Sequence, residues 1–128
     1  MIIALLPTLI GILLLSACQV DEDVLIFIGS SDNWSAEVIV KKIDGSEKNE
    51  IVLKYTGNNL ESISYFNYSV KNNRNNLNFG ANEVSLNKEG IYTNTVLGSN
   101  SASTKTDDYL NITIDWDNQT ENFVLKKK

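Results

Sequence analysis

The sequence predicts an all-β fold, with about seven to eight short antiparallel strands in one domain over residues 24–128. Three observations carry this prediction. Apolar residues recur at every second position in several stretches, most clearly at Leu110, Ile112, Ile114 and Trp116. Clusters of Gly, Asn, Asp and Ser separate these stretches at regular spacing. After Cys18 no segment has the apolar stripe of an amphipathic helix.

Val24-Leu25-Ile26-Phe27-Ile28 is apolar at every position, which suits a strand buried on both faces. Gly29 to Asn33 is a turn cluster. Trp34, Ala36, Val38 and Val40 then alternate with Ser35, Glu37, Ile39 and Lys41, the pattern of a half-buried strand. Asp44-Gly45 marks a tight turn, and Ile51, Leu53 and Tyr55 alternate after it until Gly57-Asn58-Asn59. Ile63 to Val70 reads as the next strand. The polar, Asn-rich run from Lys71 to Gly80 reads as an exposed loop. Glu83 to Leu86 is a short strand candidate, and a hairpin-like turn at Asn87-Lys88-Glu89-Gly90 joins it to a strand at Ile91 to Leu97. Gly98 to Asp108 offers no apolar side chain except Ala102, so it reads as a mobile loop with nothing to bury. Leu110 to Trp116 and the alternation at Phe123 and Leu125 form a final hairpin about Asp117-Asn118-Gln119-Thr120.

Such spacing implies an antiparallel β-sandwich of immunoglobulin-like architecture, with a small barrel as the alternative. The Cys-Trp-Cys spacing of antibody domains is absent, so the likeness concerns architecture alone.

The chain begins with a different kind of segment. Ile2 to Leu15 is almost wholly apolar, broken by Pro7, Thr8 and Gly11. It is shorter than the roughly 20 residues needed to span a bilayer. Small residues follow it, as in a secretory signal with its cleavage site. Leu15-Ser16-Ala17-Cys18 resembles the lipobox of bacterial lipoproteins: a branched apolar residue, two small residues, then cysteine. The resemblance covers the signal only. It implies removal of residues 1–17 and a diacylglycerol and acyl lipid on Cys18, with residues 18–23 as a short tether. Two or more buried acyl chains, at roughly 0.8 kcal/mol per CH₂, make a lasting anchor. The segment departs from the usual signal in having no Lys or Arg before Lys41. Asp32-Asn33-Trp34, and Trp116-Asp117 before Glu121-Asn122-Phe123-Val124-Leu125, resemble small lipoproteins of Gram-positive bacilli, a likeness that implies no activity.

Composition narrows the chemistry. All 11 Lys and Arg and all 16 Asp and Glu lie beyond Cys18, so that part carries the whole net charge of −5. An acidic domain lacks the basic face that nucleic acid requires. The chain has no His and a single Cys, which excludes Ser-His-Asp and Cys-His catalysis and the common His-based metal sites. Neither a phosphate loop nor a nucleophile elbow is present.

Few side chains remain as site candidates. Asp115, Asp117, Asn118 and Glu121 carry oxygen donors around the last hairpin. Their spacing does not match a Ca²⁺ loop, so they read as solvated turn residues and no metal is expected. Asp115 and Asp117, two residues apart and so on one strand face, could form a carboxylate acid and base, but nothing in the sequence indicates the cleft such a pair needs. Trp34 and Trp116 are in phase with aliphatic neighbours and read as core. Tyr65 and Tyr68 fall on opposite faces of their strand, which leaves at least one to meet a ligand.

The resulting expectation is a lipoprotein on the extracytoplasmic face of the cell membrane. Its domain would be non-enzymatic, bind an unknown protein or envelope polymer, and use no cofactor beyond the lipid on Cys18. The alternatives are an envelope-glycan-directed enzyme using Asp and Glu, and a structural or immunity-type lipoprotein.

Overall fold

The computed structural model describes residues 22–97 and 104–128. The signal over residues 1–17, the lipobox residues Leu15, Ser16, Ala17 and Cys18, and residues 98–103 of the expected loop lie outside the described residues. The described residues form eight strands: β1 (Glu22–Ser30), β2 (Trp34–Ile43), β3 (Ser46–Tyr55), β4 (Phe66–Asn72), β5 (Leu77–Val84), β6 (Ile91–Leu97), β7 (Leu110–Trp116) and β8 (Gln119–Lys127). A 3-10 turn at Leu60–Ser62 is the one helical element among the described residues. Every strand pairing is antiparallel.

The strands make one sheet in the order β5-β4-β7-β8-β1-β2-β3-β6. This sheet curls until its ends face each other and is nearly barrel-shaped. Tyr92 on β6 packs edge-on against Phe66 and Tyr68 on β4, with ring centroids 5.5 and 5.4 Å apart. The seam between β1 and β8 is thin, pairing only Phe27 with Lys127 and Ile28 with Lys126. Gly29 lies beside it. A Cβ there would stand 2.3 Å from the Val124 carbonyl oxygen, so the close approach of β8 requires glycine.

Two-residue turns set the registers of two hairpins. Ile43 pairs with Ser46 across Asp44-Gly45, whose φ angles are 50° and 81°. Trp116 pairs with Gln119 across Asp117-Asn118, at 45° and 59°. Left-handed residues at both turn positions match the twist of the flanking strands. The inward faces then fall in line: Trp34, Ala36, Val38 and Val40 on β2, Leu110, Ile112, Ile114 and Trp116 on β7. Trp34, fully buried, sits at the centre and packs on Trp116, Tyr55 and Phe66 at 5.5, 5.4 and 5.1 Å. Both tryptophans are core residues, as their phase implies.

Several expectations are corrected. β1 is buried on one face only: Leu25 and Phe27 point inward, while Val24 and Ile28 are 46% and 43% exposed. A single curled sheet has one interior, and nothing among the described residues covers its outer face. Lys71 to Gly80 is no loop; β4 continues to Asn72, and β5 starts at Leu77 after a turn. Val70, Asn72 and Phe79 supply the inward positions there, Asn73, Asn76 and Asn78 face water, and the Asn75 Oδ1 accepts the Leu77 N–H at 2.9 Å. Asn72, although polar, is buried at a position where its Nδ2 donates to Asp108 and its Oδ1 accepts from the Arg74 N–H. β4 begins at Phe66 rather than Ile63, because the chain first makes the 3-10 turn. β5 ends at Val84, so no strand runs from Glu83 to Leu86. The turn at Asn87-Gly90 exists, with Gly90 N–H donating to Asn87 O at 3.0 Å, but it joins no hairpin. β5 pairs with β4 and β6 with β3, so this segment crosses from one edge of the sheet to the other.

Candidate ligand-binding cleft

An open cleft of about 480 Å³ lies at the end of the barrel that carries the β7–β8 turn. Phe66 and Trp116 form its floor, and Tyr65, Asn67, Glu83, Asp115 and Asp117 stand around it. Its construction starts from the choice between two adjacent rings. Phe66 takes the inward place, 2% exposed, against Trp34 and Tyr92. Tyr65, just before β4, is thereby turned outward and is 65% exposed.

A bulge shapes the adjoining wall. Phe66 pairs with Val84 but Tyr68 pairs with Ala81, so the β5 side carries extra chain opposite Asn67. Glu83 absorbs the irregularity with φ of 54°, a left-handed conformation costing about 1–2 kcal/mol in a residue bearing a Cβ. The Asn67 Oδ1 accepts the Glu83 N–H at 2.7 Å and holds this geometry. Bulges commonly re-aim a side chain beside a functional surface. Across the sheet Asn67 pairs with Asp115, and Asp115 with Thr120. The Thr120 hydroxyl donates to Asp115 Oδ1 at 2.5 Å, which fixes that carboxylate in the cleft wall.

Glu83, Asp115 and Asp117 are all exposed, and no Lys or Arg is among the lining residues. The cleft therefore joins an accessible aromatic ring to carboxylates and amides. Such a set accepts hydrogen bonds from hydroxyl or ammonium groups and offers a ring face for stacking.

Not every residue singled out in the sequence belongs here. Tyr68 is 3% exposed and is a core residue, which corrects its candidacy as a binding contact. Its hydroxyl lies 3.5 Å from that of Tyr92, and burial, then this neighbour, raises its pKa. The two tyrosines do differ in exposure, but Tyr65 precedes β4 instead of lying within it. Glu121 also lies outside the cleft. It accepts from the Ser31 hydroxyl, from the Asn33 N–H at 2.9 Å and from the Asn33 Nδ2 at 2.8 Å, tying the β1–β2 turn to β8. Burial pulls its pKa upward, but these donors outweigh burial and hold it below the ordinary value. The supposed oxygen cluster around the last hairpin is thus divided. Among the described residues no group of three or more Asp, Glu, Cys or His is placed to share a metal ion.

A second polar network closes the opposite end, and the sequence gives no sign of it. Glu47, 3% exposed, accepts from the Thr104 N–H at 2.6 Å and the Thr104 hydroxyl at 2.9 Å. Asp108 accepts from Arg74 Nε and Nη2, from Asn72 Nδ2 at 2.9 Å and from the Lys105 N–H at 2.8 Å. The Arg74 guanidinium first, helped by these donors against the cost of burial, holds the Asp108 carboxyl well below the usual range. Residues 104–108 do have something to bury: Thr104 is fully buried and Asp108 is 5% exposed. The sequence carries no signal for Asn67 and Glu83 either, because a bulge leaves no mark that separates it from ordinary polar strand sequence.

Compared with protein-family models, characterised proteins and solved structures, the chain matches none.

Proposed function

We propose that this chain is an extracytoplasmic lipoprotein whose β-domain is a non-enzymatic binding module. The cleft beside Tyr65 is its ligand site, and a hydroxyl-rich envelope polymer is its ligand. The observation that carries the binding reading is the conjunction of the exposed Tyr65 ring with Asn67, Glu83 and Asp115 around one open cleft. The anchor reading is supported by Leu15-Ser16-Ala17-Cys18 alone. A sandwich description is supported by the two four-stranded halves that meet along the thin β1–β8 seam.

The anchor test is Cys18→Ala, which should leave uncleaved precursor and abolish labelling by a fatty-acid analogue. Normal processing and an unlabelled wild type would refute it. The ligand test is retention of the full chain on isolated envelope polysaccharide. Loss of a stacked aromatic of about 1–3 kcal/mol should weaken binding by roughly 5- to 150-fold in Tyr65→Ala. Unchanged retention refutes the cleft as the site.

Asp115 and Asp117 both line the cleft, which keeps one enzymatic reading in view. A glycosidase pair needs one carboxyl shielded from water, whereas both of these are exposed. Polysaccharide turnover that disappears in Asp115→Asn would establish catalysis in place of binding.

A further inference from the structure

The domain treats its carboxylates in two ways. Four of them are matched by partners. Glu50 has Lys41 at 3.2 Å, Asp108 has Arg74, Glu47 has Thr104, and Glu121 has Ser31 and Asn33. Glu83, Asp115 and Asp117 are left open. All three are exposed in the wall of the Tyr65 cleft, and none is in an ion pair among the described residues. Asp115 accepts the neutral Thr120 hydroxyl and keeps its charge unpaired. No Lys or Arg lines the cleft. Lys71 is four residues along β4 from Asn67, and Lys126 six along β8 from Thr120, about 13 and 20 Å of strand. Lys88 stands in the Asn87–Gly90 turn, next to Glu89.

Strand pairing itself gathers the three charges. Asn67 lies opposite Asp115 on β7, and its Oδ1 holds the Glu83 N–H on β5. Asp117 follows Asp115 by two residues, at the left-handed turn. Glu83 sits where a φ of 54° favours glycine or asparagine, so its carboxylate is carried there at a cost in backbone energy. Like charges around a concave site repel one another, and the walls focus their field on whatever enters.

That field selects the ligand's charge. A polymer of phosphates or uronic acids is repelled, and a neutral polyol leaves the charges uncompensated. A single metal ion does not fit, because no group of three or more Asp, Glu, Cys or His among the described residues is placed to share one. Alkylammonium groups do fit. They donate hydrogen bonds to separate carboxylates, and they are attracted to an aromatic face within about 6 Å of its centre, here that of the exposed Tyr65.

We propose that the Tyr65 cleft selects a polysaccharide bearing free primary amines among its hydroxyls, that is, amino sugars without their N-acetyl groups. This rests on reading the cleft as the site for an envelope polymer. Tyr65 supplies the stacking surface, and the three carboxylates supply the choice of amine over acetamide.

Two probes differ in that group alone: a glucosamine oligomer and the N-acetylglucosamine oligomer of equal length. Calorimetry measures the binding of each to the full chain in non-ionic detergent at low salt. An exposed ion pair is worth roughly twofold or more, so three should favour the glucosamine oligomer by about tenfold. The triple variant Glu83→Gln, Asp115→Asn, Asp117→Asn should bind both oligomers equally, and 1 M salt should erase the preference in the wild type. A control removes three acids at the opposite end, Asp23→Asn, Asp44→Asn and Asp107→Asn, all exposed, and should keep the preference. Loss of the preference in that control assigns it to the overall negative charge and overturns the proposal. Equal binding of both oligomers by the wild type, abolished in Tyr65→Ala, refutes amine selection and leaves the cleft standing as the site. Preferential glucosamine binding that neither Tyr65→Ala nor the triple variant weakens refutes both readings. Binding of neither oligomer overturns amine selection, and retention on envelope polysaccharide then judges the cleft alone.

Discussion

Replacing Asp108 by Asn probes how the strand-poor segment before β7 is held to the barrel. The side chain is 2% exposed. Its Oδ2 accepts from Asn72, Lys105 and Arg74 Nη2, and its Oδ1 from Arg74 Nε. An asparagine that keeps its oxygen at the Oδ2 position retains those three donors but turns an NH₂ toward Arg74 Nε. The charge is lost, and one donor meets another. A hydrogen bond to a buried charged group contributes about 1.5–3 kcal/mol. Arg74 is 42% exposed, which places its share nearer the 0–1 kcal/mol of surface pairs. Together these give a loss of about 1.4 kcal/mol at neutral pH, the mean of the two regimes.

Urea unfolding followed by the fluorescence of Trp34 and Trp116 measures it. With a slope of about 1–2 kcal/mol per molar, the midpoint should fall by about 0.7–1.4 M. The difference must also depend on pH. The folded carboxyl titrates below its unfolded value of about 3.9. Its contribution is therefore complete above that pH and is lost as pH falls toward the folded value. The gap between wild type and Asp108→Asn should shrink as pH drops below about 4. Glu121 is depressed in the same direction in both proteins and cancels in the comparison. A midpoint shift under about 0.3 M, or a gap that does not change with pH, would refute the assignment of Asp108 as the clasp.

Three further outcomes follow from the same contacts. Gly29→Ala places a Cβ 2.3 Å from the Val124 carbonyl oxygen and should open the β1–β8 seam, seen as faster amide exchange at Phe27 and Lys127 and a loss of about 1–3 kcal/mol. Trp34→Ala removes the ring at the centre of the aromatic cluster and should cost about 3–5 kcal/mol in the same urea assay. Glu83→Gly relieves the left-handed strain in the cleft wall, so thermal unfolding should show stability unchanged or raised by up to about 1 kcal/mol; a clear loss would mean that Glu83 makes a contact worth more than its backbone strain.

Legibility differed sharply between elements. β2, β7 and β8 could be read in place because alternation and turn chemistry agreed there. Asp44-Gly45 and Asp117-Asn118 adopt left-handed conformations that their sequences favour. β5 could not be read, because LNFGANEV carries few apolar residues and relies on its ladder with β4. Periodicity reports what a strand buries, and an edge strand buries little. Among the site residues, Tyr65 is legible in the sequence, while the bulge that brings Glu83 beside it depends on a register shift between two strands.

From the sequence by itself came the all-β class, the inward identity of Trp34 and Trp116, the absence of His-based chemistry, and the resemblance of Leu15-Ser16-Ala17-Cys18 to a lipobox. These follow from local patterns of polarity and residue type, which a chain carries whatever its partners. Tertiary structure alone decided which strands pair, that Tyr68 is core and Tyr65 surface, and that Glu47 and Asp108 anchor the descending loop. Those outcomes depend on residues far apart in the chain, and only the closing of the sheet brings them together.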